Sequence, residues 1–198
     1  MKPDLKTAYT SILDEMFSQD YIKPQDVPNI DVYMDQLTTF MDEKLRHFTR
    51  NPEKDKVLTK TMINNYTKND LLPPPRKKKY SPDHLILLIY IFYLKRNFSI
   101  EDIGRFIAPM KHLMENKEGL PSLREIYSES IRWSAEEKDA IRSEMDRLFE
   151  KANTTFPNES EPHRTELRMF SFLELLALEV HIRQVIIEKL LDLYREDA

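Results

Sequence analysis

Between positions 59 and 69 the chain reads TKTMINNYTKN, and its polar members are spaced so that they act together. Thr61, Asn64, Asn65 and Lys68 fall at i, i+3, i+4 and i+7, which puts them on one side of a helix. An asparagine amide offers a donor beside an acceptor, the pair that matches the major-groove edge of adenine, while a threonine meets a thymine methyl or a phosphate. Lys60 and Lys68 add charges that reach phosphates. A few residues on, PPPRKKKY sets Arg76, Lys77, Lys78 and Lys79 behind three prolines. Successive prolines remove backbone donors and push their neighbours toward extended conformations, so a stiff basic loop or small hairpin is expected there, not a helix. Tyr80 is expected to anchor its end in the core. These nine residues form a candidate DNA-binding set: Thr61, Asn64 and Asn65 for base edges, and Lys60, Lys68, Arg76, Lys77, Lys78 and Lys79 for salt-dependent affinity.

The charge distribution agrees. From Lys56 to Arg96 there are nine Lys/Arg against Asp70 and Asp83, a charge of +7, whereas the rest of the chain carries −11. Sign asymmetry of that size implies an electrostatic partner surface.

The elements that must hold this segment are helical. Apolar spacing predicts helices over about Asp4 to Phe17 (Leu5, Ala8, Ile12, Leu13, Met16 and Phe17 inward) and about Asp31 to Phe48 (Tyr33, Met34, Leu37, Phe40, Met41, Leu45 and Phe48 inward). Thr59 is an N-cap for the polar helix, with Met62, Ile63 and Tyr66 as its buried stripe. Ser81 and Pro82 start a helix whose LILLIYIFYL run is apolar on every side, so it must be the central core element. Ser99 with Asp102, Ser122 with Glu125 and Ser134 with Glu137 resemble capping boxes; they predict helices after Ser99, over about Leu123 to Ile131, and over about Ala135 to Ala152. In the helix after Ser99, Ile100, Ile103, Phe106 and Ile107 face inward and Pro109 kinks or restarts the chain. A long terminal helix spans about Thr165 to Arg195. Phe170, Leu173, Ala177, Val180, Gln184, Ile187, Leu191 and Tyr194 recur along it at intervals of three and four, the spacing of a coiled-coil seam with one polar member, and Leu176, Ile182, Val185, Ile186, Leu190 and Leu193 widen the stripe; the helix reads either as packed into its own subunit's core or as a seam between subunits.

Composition narrows the function classes. Only two glycines occur, too few for phosphate-cradling loops or for a sheet-rich fold with many tight turns. The chain has no cysteine, so disulfides and thiolate metal sites are excluded, and its five histidines lie far apart without ligand spacing. No enzyme, cofactor or metal is expected. No stretch supplies the 18 apolar residues of a membrane span, and the charged N-terminal segment lacks a signal-peptide core, so a cytoplasmic protein is expected.

The run TMINNYTKNDLLPPPRKKKYSPDHLILLIYIFYLKRNFSIEDI resembles the start of a MerR-type winged helix-turn-helix. The shared pattern is a polar recognition helix with an aromatic near its end (Tyr66), Leu-Leu-x-Pro (Leu71, Leu72), a basic wing (Arg76 to Lys79), Tyr80-Ser81, a long helix, and Phe98-Ser99-Ile100 with Ile103. With PNIDVYMDQLTTFMDEKL upstream, the chain is similar to a bacterial domain-of-unknown-function family found mainly in low-GC Gram-positive bacteria. Ten residues, Thr49 to Leu58, stand where MerR-type proteins have a tight turn.

The resemblance implies a mainly α fold with a MerR-like winged helix-turn-helix, a short extended wing, and a following helical domain. The expected segments are 1–28 (N-terminal helix and linker), 29–119 (winged helix-turn-helix) and 120–198 (dimerisation or effector domain). The expected partners are double-stranded DNA, a second copy of the chain through the terminal helix, and a small-molecule effector; the aromatics Trp133, Phe149, Phe156, Phe170 and Phe172 read first as plain helical core and second as the lining for that effector, and no membrane is expected. The rival reading is a protein-interaction adaptor that uses the basic loop and terminal helix without DNA.

Overall fold

In the computed structural model, which describes residues 4–115, 119–161 and 163–196, the chain is mainly helical, with eight α-helices and one two-stranded sheet among the described residues. It divides into two compact units, residues 22–131 and residues 1–21 with 132–198. This division differs from the three expected segments. The N-terminal helix carries one face of aromatic and aliphatic side chains, and it finds its partners among the C-terminal helices.

The unit of residues 22–131 is built around helix α4 (Pro82–Leu94), in which Leu85 through Ile89 and Ile91 are wholly buried. A helix without a polar face can exist only if other elements surround it. Helix α2 (Met34–Leu45) contributes Leu37, Met41 and Leu45, helix α3 (Lys60–Lys68) contributes Ile63 and Tyr66, helix α5 (Ile100–Glu115) contributes Ile103 and Ile107, and the start of helix α6 (Leu123–Glu136) contributes Leu123 and Tyr127. Tyr127 donates its hydroxyl to the Ile22 carbonyl at 2.5 Å, and the Arg124 guanidinium bonds the Pro24 and Val27 carbonyls, so this helix closes the loop at the start of the unit.

Several expectations change here. The second helix starts at Met34, because Val32 and Tyr33 instead form strand β1 (Val32–Tyr33), antiparallel to β2 (Lys79–Tyr80), with Val32 opposite Tyr80. A β-branched and an aromatic residue suit that pairing, and Gln36 accepts from the Tyr33 N–H at 2.9 Å to start the helix behind it. Tyr33 is therefore exposed, not part of an inward stripe. Ile100 and Phe106 are likewise exposed on α5, and α5 runs through Pro109 without ending. Ser134 starts no helix: α6 continues to Glu136, and α7 (Lys138–Asn153) begins after Glu137.

The other unit contains α1 (Leu5–Ser18), α7 and α8 (His163–Glu196). Tyr9 stacks on Phe149 with ring centroids 4.1 Å apart, Phe172 meets both rings edge-on, and the Tyr9 hydroxyl donates to Asp146 at 2.7 Å. Ile12 and Met16 of α1 point outward, 60% and 52% exposed, contrary to the inward stripe. No helix among the described residues is long and apolar enough to cross a membrane.

Candidate nucleic-acid interface

Helix α3 begins as its sequence requires. Thr59 is extended at the N-cap, and its Oγ1 accepts the Met62 N–H at 3.2 Å, satisfying one donor of the first turn. The helix ends in a Schellman arrangement: the Leu71 N–H reaches the Tyr66 carbonyl at 2.8 Å, and the Asp70 N–H reaches Thr67 at 3.2 Å. Asp70 occupies the left-handed position, φ 55°, where glycine is usual. The Lys111 ammonium bonds the Asp70 carboxylate at 2.8 Å and also its carbonyl, which offsets the strain on a side-chain-bearing residue there.

With Ile63 and Tyr66 buried, Thr61, Asn64, Asn65 and Lys68 are turned to solvent. The side chains of Thr61, Asn64 and Asn65 make no hydrogen bond within the described residues, so their donors and acceptors are open to a ligand. Lys60 differs. Its ammonium pairs with Asp35 of α2, so part of its charge is already neutralised. Asp35 carried no signal in the sequence, since it belongs to another helix.

Beyond α3, Leu71 and Leu72 are buried, and the chain is pinned again at Pro73, whose carbonyl accepts from His84 Nε2 at 3.2 Å. The Nδ1 of the same imidazole accepts the Ser81 N–H at 3.1 Å, which fixes His84 as the neutral Nε2–H tautomer. Burial holds its pKa below the ordinary histidine value. His84 thus occupies the capping-box position of α4 and ties down both ends of the basic loop. A scattered histidine gave no hint of this in the sequence.

Between those anchors the loop is a two-residue hairpin. The Arg76 N–H bonds the Lys79 carbonyl at 3.1 Å, and the Lys79 N–H bonds the Arg76 carbonyl at 2.9 Å. The two central residues, Lys77 and Lys78, have φ of 48° and 63°. A type I′ turn needs positive φ at both positions, and its twist suits the flanking strands. Lysine is a poor choice for either position, since each such residue costs about 1 kcal/mol or more. Beyond the turn, Lys79 lies over the Tyr33 ring, 5.1 Å from its centroid, and Tyr80 is buried as expected. Arg76, Lys77 and Lys78 are exposed, and they and Lys68 have no ion pair within the described residues. Four of the six expected cations are therefore unengaged, while Lys60 and Lys79 already have partners.

A family model described as a domain of unknown function, DUF1836, matches residues 22–130. The chain belongs to the DUF1836 family. The matched segment coincides with the compact unit of residues 22–131, so the DUF1836 domain comprises α3, the basic hairpin and the α4 core together. No curated protein and no solved structure matches the chain.

The expected effector aromatics do not gather. Phe149 and Phe172 pack with Tyr9, whereas Trp133, Phe156 and Phe170 are exposed.

Proposed function

We propose that the protein is a DNA-binding transcriptional regulator in which α3 reads base edges and the Arg76–Lys79 hairpin contacts phosphate as a wing, on a MerR-like winged helix-turn-helix scaffold. The reading rests on one observation above the rest. Asn64 and Asn65 are exposed on a helix whose other side is fixed in the core, and no intramolecular group occupies their amides. Supporting it, the polar helix, the rigidly anchored basic hairpin and the long apolar helix follow in the order of the MerR-type pattern. The unengaged Lys68, Arg76, Lys77 and Lys78 supply the counterion-releasing contacts that duplex binding requires. A surface lysine run of purely solubilising character needs neither three prolines nor anchors at Pro73 and Tyr80.

The second expected partner is another copy of the chain. Phe170, Leu173 and Val180 of the α8 seam are 59%, 53% and 55% exposed, on the side of the helix away from Ser171 and Leu175, whereas Gln184, Ile187 and Leu191 of the same seam are half-buried and the exposed apolar side chains there are Ile182, Ile186, Leu190 and Leu193. Three-and-four spacing with a single polar residue, Gln184, fits an identical helix, and Arg183 stands five residues before Glu188, the offset at which flanking charges pair between parallel strands.

The test is binding of the full chain to a random duplex pool at several salt concentrations. The regulator reading expects retention that weakens steeply with salt, and loses about 2.7 units of log-log slope when the unengaged Arg76, Lys77 and Lys78 are all changed to glutamine. Retention of an acidic protein with no nucleic acid bound would favour the adaptor reading.

A further inference from the structure

The connector from Thr49 to Leu58, unusually long for its place between α2 and α3, is a folded loop. Its Lys54 and Asp55 N–H groups bond the Asn51 carbonyl, the Asp55 carboxylate accepts the Asn51 N–H at 2.9 Å, and Val57 and Leu58 are buried. Against the end of α4 it forms a cavity of about 230 Å³. Arg50 and Lys56 line it from the loop, and Lys95 and Arg96 line it from the helix. Asp55 is the one acidic residue among the lining, so the wall carries +3.

The four cations are not equivalent. Lys95 and Arg96 follow the last turn of α4, where positive charge is favourable, and Lys95 is half-buried with its ammonium 2.8 Å from the Val57 carbonyl and 4.8 Å from the centroid of Phe92. Their placement has a structural reason. Arg50 and Lys56 have none: they end no helix, and neither has an ion pair within the described residues. Like charges brought to one wall repel, and the ammonium of Lys95 is held below the ordinary lysine range by burial and by Arg96. An anion in the cavity would relieve both effects. At this size the cavity suits a phosphate group, being smaller than the 300 Å³ or so from which drug-sized ligand sites begin.

We propose that Arg50, Lys56 and Arg96, over the floor set by Lys95, form a phosphate-binding site between the connector that precedes α3 and the end of α4. Its phosphate belongs either to a DNA backbone passing the start of α3 or to a free phosphate species; the chemistry of the site is the same in both cases. The backbone case rests on the DNA-binding reading above, and the free-phosphate case does not.

Two arms with the full chain separate the sources. In the first, inorganic phosphate is titrated against ionic-strength-matched sodium chloride while the amide resonances of Lys56 and Arg96 are followed. In the second, the salt slope for a random duplex is measured. Both are repeated with Lys56→Gln/Arg96→Gln, which leaves Lys95 on Val57, and with Lys77→Gln/Lys78→Gln. A saturable phosphate response weakened tenfold or more by the first variant and untouched by the second establishes a free-phosphate site. A duplex slope lowered by about two units in the first variant, without a phosphate response, establishes a backbone clamp. Equal shifts in chloride together with an unchanged duplex slope overturn the proposal. If wild type binds no duplex, the DNA reading fails while the phosphate arm still decides the site.

Discussion

Replacing Lys77 by Asn and Lys78 by Gly should make the protein more stable and a weaker ligand for duplex DNA at the same time. Both residues have positive φ at the tip of a two-residue hairpin, and Asn-Gly is the pair that this turn favours. Relief of the left-handed strain gives about 1 to 2 kcal/mol per residue at most, and the added freedom of glycine in the unfolded chain returns about 0.5 to 1 kcal/mol. Asparagine tolerates the conformation less completely than glycine does, so the pair should gain about 1 kcal/mol overall. For a chain of this length that is a rise of about 2 to 4 °C in the midpoint of thermal unfolding. Two phosphate contacts are lost as well, so the slope of log affinity against log salt should fall by about 1.8. Calorimetry and fluorescence anisotropy read the two effects separately. A fall in the unfolding midpoint would refute the turn geometry, and a stabilised variant with an unchanged salt slope would refute the role of the tip in binding.

Three further outcomes are expected. Asp35→Asn releases Lys60 from its ion pair; because the pair is exposed, stability should change by no more than about 1 kcal/mol, while the duplex salt slope should rise by up to one unit in anisotropy titrations. His84 is buried neutral, with its folded pKa below the unfolded value, so its contribution is complete above about pH 6.5 and is lost as pH falls below that value, by at most about 1.4 kcal/mol per pH unit. Urea denaturation between pH 7.5 and 5.5 should show this loss in the wild type and a flatter profile in His84→Gln, which keeps a capping-box side chain. Leu173→Glu places a charge in the α8 seam and should convert a dimer to a monomer in light scattering without altering the far-ultraviolet helical signal.

Much of this architecture is written in local patterns. Thr59, Ser81 with Pro82, and the unbroken apolar run of α4 each state a helix start or a core position within a few residues, and the structure follows them. Tyr80, expected as an anchor and buried, is equally direct. What escaped the sequence depends on distant pairing. Val32 and Tyr33 read as the start of a helix, with Tyr33 in its inward stripe, because their strand partners Tyr80 and Lys79 lie 48 and 46 residues away in the chain. Ser134 and Glu137 have capping-box spacing, but α6 runs through Ser134 to Glu136, so spacing alone does not break a helix. The exposed amide side of α3 was legible from its period, whereas the neutralisation of Lys60 by Asp35, the resting of Lys79 on Tyr33 and the double anchor at His84 were not. Each joins side chains from separate elements, which no helical or strand period can report. The two positive φ values at Lys77 and Lys78 were hidden for the opposite reason: the residues present are ones that ordinarily avoid that conformation.

The claim on which the account stands is that the free amides of Asn64 and Asn65 distinguish one base sequence from another. Selection of bound duplexes from a fully randomised library tests it most directly, with the wild-type chain and Asn64→Ala run in parallel. The account predicts an enriched site in the wild type, containing adenine positions whose preference is relaxed in Asn64→Ala while overall salt-dependent affinity persists. An unenriched pool for the wild type, or the same enriched site with the same preferences for both proteins, would contradict it.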